Sequence, residues 1–167
     1  MTGRLFLAAA SLAIASTALA QAPSPPKDPA ALARAVTADV NGRLASLRVV
    51  RKSVRLPGTE YDTKATGWLD TNGLRKVLAV ADDDSGEVAD EYYLQDGRLV
   101  FHYRAIKGFE GKRQVTRVEH RFYFDEGRLA RWLGGLEKAP QSPRDADWAT
   151  EERRALEAAK AFATALR

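Results

Sequence analysis

The sequence has 167 residues, no cysteine, one methionine and a formal net charge of +4. Without cysteine there is no disulfide, no thiolate metal site and no thiol nucleophile, and so small a charge does not point to a polyanionic partner. A chain of this length makes one domain, able to bury about 70% of its unfolded surface without metals or staples.

Met1-Thr2-Gly3-Arg4 is a short basic start, Leu5 to Thr17 is an apolar run, and Ala18-Leu19-Ala20 has the small-x-small form that signal peptidases cut. These features predict an export signal over residues 1–20, cleaved after Ala20, and a periplasmic or secreted mature protein. Subtracting 20 from 167 leaves 147 residues, and the loss of Arg4 lowers the charge from +4 to +3. No later stretch approaches the ~20 apolar residues of a membrane span. Gln21 to Lys27 carries three prolines and reads as an extended tether, so a single domain is expected over 28–167.

Asp28 can cap a helix and Pro29 suits its first position. Leu32, Val36, Val40, Leu44 and Leu47 recur at helical spacing, although Asn41-Gly42 can end the helix early. Arg48 to Leu56 mixes valines with Arg48, Arg51, Lys52 and Arg55 and reads as strand or extended chain; its cations suit a solvated strand edge.

From about Thr59 to Gly134 the period becomes two. Asn72-Gly73, Asp96-Gly97 and Glu126-Gly127 sit between strand-like runs as hairpin turns, and Asp82 to Glu87 forms a longer acidic turn. The reading is a six-stranded antiparallel meander. Tyr92 to Leu99 recurs as Phe122 to Leu129, a shift of 30 residues that a shared hairpin geometry explains. The acidic turn is not an EF-hand loop, since Gly86 falls one place early and no glutamate follows at the required distance. Ser142-Pro143-Arg144-Asp145 has the form of a capping box opening a C-terminal helix, whose Trp148, Ala155, Leu156, Ala159, Phe162, Ala163 and Leu166 form one stripe. That stripe should pack on one sheet face. The expected fold class is α+β, with an N-terminal helix, the six-stranded meander and a C-terminal helix.

Two-residue turns also assign the faces. Asp96-Gly97 sets Leu94 opposite Leu99 and Tyr92 opposite Phe101 on a packing face. Tyr93 with Val100, Glu91 with His102 and Ala89 with Arg104 then lie on an open face. Glu126-Gly127 likewise adds Tyr123 opposite Ala130 and Arg121 opposite Trp132. Two readings of the first hairpin compete: if Leu69, Leu74, Leu78 and Val80 pack inward, Trp68 joins the open face and Lys76 falls on the packing side, as Arg131 does opposite Phe122, a conflict that a β-bulge would relieve.

Tyr93, Tyr123, Trp132, His102, Arg104, Arg121 and Glu91 thus gather as aromatic rings among charges, a surface suited to a sugar, a peptide or a protein. The leading expectation is a non-enzymatic domain that binds a small ligand or an envelope protein on this open face, with no cofactor, no metal and no nucleic acid. One alternative is a small hydrolase or lyase using Glu91 beside His102 for proton transfer; another is a structural envelope protein that self-associates.

Glu91-Tyr92-Tyr93-Leu94-Gln95-Asp96-Gly97-Arg98-Leu99-Val100-Phe101 and Arg121-Phe122-Tyr123-Phe124-Asp125-Glu126-Gly127-Arg128-Leu129-Ala130-Arg131-Trp132 resemble hairpins of a group of small exported bacterial proteins of unknown function. The resemblance spans roughly residues 60–135. It implies export and a meander, and supplies no catalytic residue.

Overall fold

The structure, a computed structural model, describes residues 28–82, 86–135 and 139–167. The export signal read over 1–20, the tether 21–27 and the centre of the acidic turn lie outside the described residues.

Helix α1 spans Pro29–Gly42, with the Asp28 carboxylate accepting from the Ala30 amide at 2.9 Å and proline in the first turn. Its apolar positions Ala33, Val36 and Val40 are buried. A short 3-10 turn, Leu44–Ser46, leads into the sheet. The strands are β1 (Arg48–Arg55), β2 (Asp62–Asp70), β3 (Gly73–Asp82), β4 (Gly86–Gln95), β5 (Arg98–Glu110), β6 (Arg113–Asp125), β7 (Arg128–Gly134) and β8 (Ala139–Pro140). All pair antiparallel with their chain neighbours, in the order β1 to β8. Helix α2, Trp148–Ala165, closes the fold.

The α+β meander is as expected, but it has eight strands among the described residues, not six. The added strands are the two edges, where one hydrogen-bonded side is enough to hold a strand. Arg48–Arg55 is mostly exposed, with cations along its length, as an edge requires. Two local expectations also change. Asp70 pairs with Gly73, so the first turn is Thr71-Asn72, with the Asn72 amide donating to the Asp70 carboxylate. The Asp145 carboxylate does accept from the Ser142 amide, but the Ser142 hydroxyl accepts from the Arg144 amide, so only half of the capping box forms, as a separate turn, and α2 begins only at Trp148.

The helices cover opposite faces. Under α2, Ala155, Ala159, Phe162 and Leu166 pack on Val77, Tyr92, Leu94, Phe122 and Phe124. On the other side, Val36 and Val40 of α1 pack with Tyr93 and Val100, flanked by Trp68 and Phe101. No helix among the described residues is long and apolar enough to cross a membrane.

A repeated bulge controls which residues reach which helix. At Asp96-Gly97, where both turn residues have positive φ (51° and 74°), Leu94 pairs with Leu99 as the turn dictates. The next pair is Tyr93 with Phe101, leaving Val100 extra. The same one-residue shift occurs after Leu69, Phe124 and Phe109, where Arg75, Ala130 and Val115 are the extra residues. Each bulge sets two return-strand residues opposite one, so every later side chain changes face.

Candidate functional site

The bulges divide the residues expected on one open face between two. Tyr92 pairs with His102, His102 with Phe122 and Phe122 with Trp132, forming one cross-strand row beneath α2. Asp90, Arg104 and His120 form the next row. His102, Arg104 and Trp132 are therefore buried on the α2 side. Glu91, Tyr93, Arg121 and Tyr123 remain on the α1 side, and Lys76 and Arg131 join them there.

Tyr93 is nevertheless not open, because α1 covers it to 3% exposure. Its hydroxyl donates to Glu91 at 2.7 Å, and Lys76 pairs with Glu91 at 2.8 Å while lying 4.8 Å from the Tyr93 ring centre. Glu91 faces Tyr103 rather than His102. The proton-transfer pair expected of a hydrolase or lyase therefore does not form. Arg121 binds Glu119 at 2.9 Å and lies over Tyr103, and Tyr123 is half-buried beside Phe101.

The chemically unusual group is under α2. Asp90 accepts from His102 Nε2 at 2.7 Å and from Arg104 Nε at 2.8 Å, and Arg104 Nη1 reaches Glu151 of α2 at 3.3 Å. Burial pushes the Asp90 carboxyl up, but the hydrogen bond from His102 and the charge of Arg104 outweigh it and hold it far below the usual carboxylate range. Burial pushes the His102 imidazole down, with Asp90 offsetting only part of the shift. The pair is thus an ionised Asp90 and a neutral His102 carrying its proton on Nε2.

The His102 ring is 1% exposed and stacked between Tyr92 at 4.3 Å and Phe122 at 4.9 Å, and its Nδ1 has no hydrogen-bond partner. A ring sealed in this way cannot hand a proton to a dissolved substrate. What it does is orient Asp90.

The second histidine is also structural. Trp132 Nε1 donates to His120 Nδ1 at 3.1 Å, and a Cβ on Gly134 would stand 2.2 Å from that nitrogen. Gly134→Ala is expected to destabilise the fold by about 1–3 kcal/mol through overpacking, measured by urea unfolding. A neutral result would mean that the His120–Trp132 contact is not held.

Burial also pushes His120 down from its ordinary value of 6.5. With both imidazoles depressed in the folded state, the unfolded chain binds more protons below that value, so stability is full above about pH 6.5 and declines as pH falls. Asp90, depressed in its turn, removes more stability as pH passes through and below the carboxylate range. The urea midpoint should therefore fall from pH 7.5 to 5.5 and again to 3.5. A midpoint unchanged over the first step would contradict the lowered affinity of both imidazoles for a proton.

Beside this cluster a cleft of about 610 Å3 opens between α2 and the β1–β2 loop. Asp90, Tyr92 and Arg104 form its floor, with Thr63, Ala79 and Val88 from the sheet around them. Leu56 to Tyr61 form one wall, and Thr150, Arg153, Arg154 and Glu157 of α2 the other. Arg104 is fixed by Asp90 from the sheet and by Glu151 from the helix, so the floor is a polar platform held by both layers. Among the described residues no three His, Asp or Glu side chains cluster to hold a metal ion.

Of the expected site residues only Arg104 lines this cleft. Sequence reasoning missed Asp90, Tyr61, Arg153 and Arg154. Asp90 did carry a signal, as a carboxylate at period two within Val88, Tyr92 and Leu94. The loop and the outer face of α2 carried none, because their proximity is tertiary.

No family model matches the chain, and neither a curated protein nor a solved structure does.

Proposed function

We propose that this is an exported, non-enzymatic binding domain whose ligand occupies the cleft between α2 and the β1–β2 loop. The observation that carries the reading is the Asp90–Arg104 pair on the cleft floor, braced from α2 by Glu151. Its groups are oriented before any ligand arrives, so binding orders little and costs little entropy. Export rests on residues 1–20 and on the hairpin resemblance described above.

A ligand that fills the cleft stabilises the fold by about 2.7 kcal/mol at one hundred times its Kd, which raises Tm by about 5–10 °C for a domain of this size. Thermal-shift screening of a solute panel, followed by amide NMR mapping, tests this. The expected result is a solute whose perturbations centre on Val88–Tyr92, Arg153 and Arg154.

Perturbations centred on Tyr103, Glu119 and Arg121 would instead favour the second reading, a protein-binding surface on the part of the α1-side face that α1 leaves open. That reading is favoured by the Arg117–Glu119–Arg121 pairs beside the half-exposed Tyr103 ring.

A further inference from the structure

We infer that the outer edge of β1 is a docking site for an extended acidic peptide, which pairs with it as a further strand of the sheet; this surface is separate from the cleft and goes beyond that reading. Among the described residues no strand pairs with β1 on the side away from β2. Half of its backbone N–H and C=O groups therefore point outward with no strand to bond, the template that an added strand requires. β1 is eight residues long, whereas β8 at the opposite edge has two, so β1 is the edge that can hold a partner in one register.

The side chains of β1 select the partner. Arg48, Arg51, Lys52 and Arg55 are exposed, and the strand contains no acid. Arg48 and Arg51 make no ion pair among the described residues. Lys52 donates to the Ala165 carbonyl, which leaves its charge uncompensated, and Arg55 pairs with Asp62 at 2.7 Å. The four cations occupy the first, fourth, fifth and eighth positions of the strand, a spacing that reads the same from either end. A second copy pairing antiparallel in register would set Arg48 against Arg55 and Arg51 against Lys52, and like charges directly opposite oppose pairing. The same symmetry lets a strand with carboxylates at its own first, fourth, fifth and eighth residues meet all four cations in either direction. Those carboxylates must lie on both faces of the added strand, because side chains alternate. Arg48 and Lys52 share the α2 side with Val50 and Val54, and Arg51 and Arg55 share the α1 side with Val49, which is opposite Trp68. Val49 is 39% exposed, so an apolar residue at the second or seventh position of the peptide has a side chain to cover.

The test measures binding of fluorescently labelled octapeptides to the full chain by anisotropy at low salt, where surface charges are least screened. The matched peptide carries glutamate at residues one, four, five and eight, with valine and threonine between. An isomer of the same composition carries its glutamates at residues one, three, five and seven, all on one face, and meets at most two of the cations in any register. The matched peptide should bind at least tenfold tighter than the isomer. Of two N-methylated versions, each blocking one set of alternate amides, one should lose at least tenfold and the other little, because only one set faces β1. Arg51→Glu should weaken the matched peptide at least tenfold with the thermal midpoint unchanged, since the side chain is exposed. Binding should return with a peptide whose fourth or fifth glutamate is replaced by lysine.

Equal binding of the matched peptide and its isomer, or of both N-methylated versions and their parent, overturns the added strand and leaves simple attraction of a polyanion. Failure of the matched peptide to bind, or of both lysine peptides to restore binding to Arg51→Glu, overturns the docking site. A dimer of the unaltered chain in sedimentation, with the β1 amides protected from exchange, assigns the edge to a second copy and overturns the peptide. None of these outcomes bears on the cleft, whose own test reads Val88–Tyr92, Arg153 and Arg154.

Discussion

Arg104→Met is expected to destabilise the domain by about 3–5 kcal/mol, the range found when one partner is removed from a buried ion pair. The Asp90 side chain is 11% exposed and that of Arg104 7%, so the little water that reaches them from the cleft does not replace the lost guanidinium. His102 would still donate one hydrogen bond to Asp90, but it is neutral and leaves the carboxylate charge uncompensated. For a fold whose total stability lies in the usual range of about 5–15 kcal/mol, such a loss is close to unfolding.

Removing the second charge as well should restore part of the loss. Asp90→Asn combined with Arg104→Met keeps an acceptor for His102 and leaves no buried charge, so the double variant should be more stable than Arg104→Met alone. Chemical denaturation of the wild type, both single variants and the double variant measures this coupling. A loss below 1 kcal/mol for Arg104→Met would mean that the cluster is wet and that the cleft floor is not the fixed platform described above.

The second large effect is expected at Phe162, on the inner face of α2. It is 0% exposed, and its ring centre lies 5.4 Å from that of Tyr92. Phe162→Ala removes a ring from the centre of the helix–sheet layer, where Ala155, Ala158 and Ala159 cannot move in to fill the space because the sheet fixes the distance to the helix. Loss of transfer free energy plus the cavity puts the cost at about 3–5 kcal/mol.

Phe162→Leu should cost distinctly less, since it keeps most of the volume. Comparing the two by urea unfolding separates packing from any effect of sequence on helix propensity. Equal losses, or a loss for Phe162→Ala near that of an exposed alanine substitution, would show that α2 does not dock through this residue. Because α2 also carries Arg153, Arg154 and Glu157 on the cleft wall, Phe162→Ala should weaken any cleft ligand along with the fold.

How much of this was legible depended on the range of the physics involved. Asp28-Pro29 determined where α1 begins, since a cap and a fixed φ act within one turn of chain. The dipeptides at 96–97 and 126–127 determined two turns for the same reason. The stripe through Trp148, Ala155, Ala159 and Phe162 determined that α2 must find an apolar sheet face, although not which one.

The site was lost to a single residue per hairpin. A turn fixes register only until the first bulge, and each bulge here lies within three residues of its turn. Leu99-Val100-Phe101 carried a trace of it: three apolar residues in succession cannot alternate between faces unless two of them share one. Counting straight through placed Glu91 opposite His102 and put Trp132, His102 and Arg104 in the open. The same counting set Lys76 and Arg131 wrongly toward the core, the one conflict that pointed to the error.

The sequence by itself determined the meander, both helices and the residues able to do polar chemistry, because these follow from local backbone preference and from period. Only the tertiary structure decided that His102 is sealed, that α1 covers Tyr93 and that the β1–β2 loop faces Arg153 and Arg154 across a cleft. Those outcomes depend on bulges, on which face each helix takes and on distances between segments far apart in the chain, and none of these leaves a periodic mark in the order of residues.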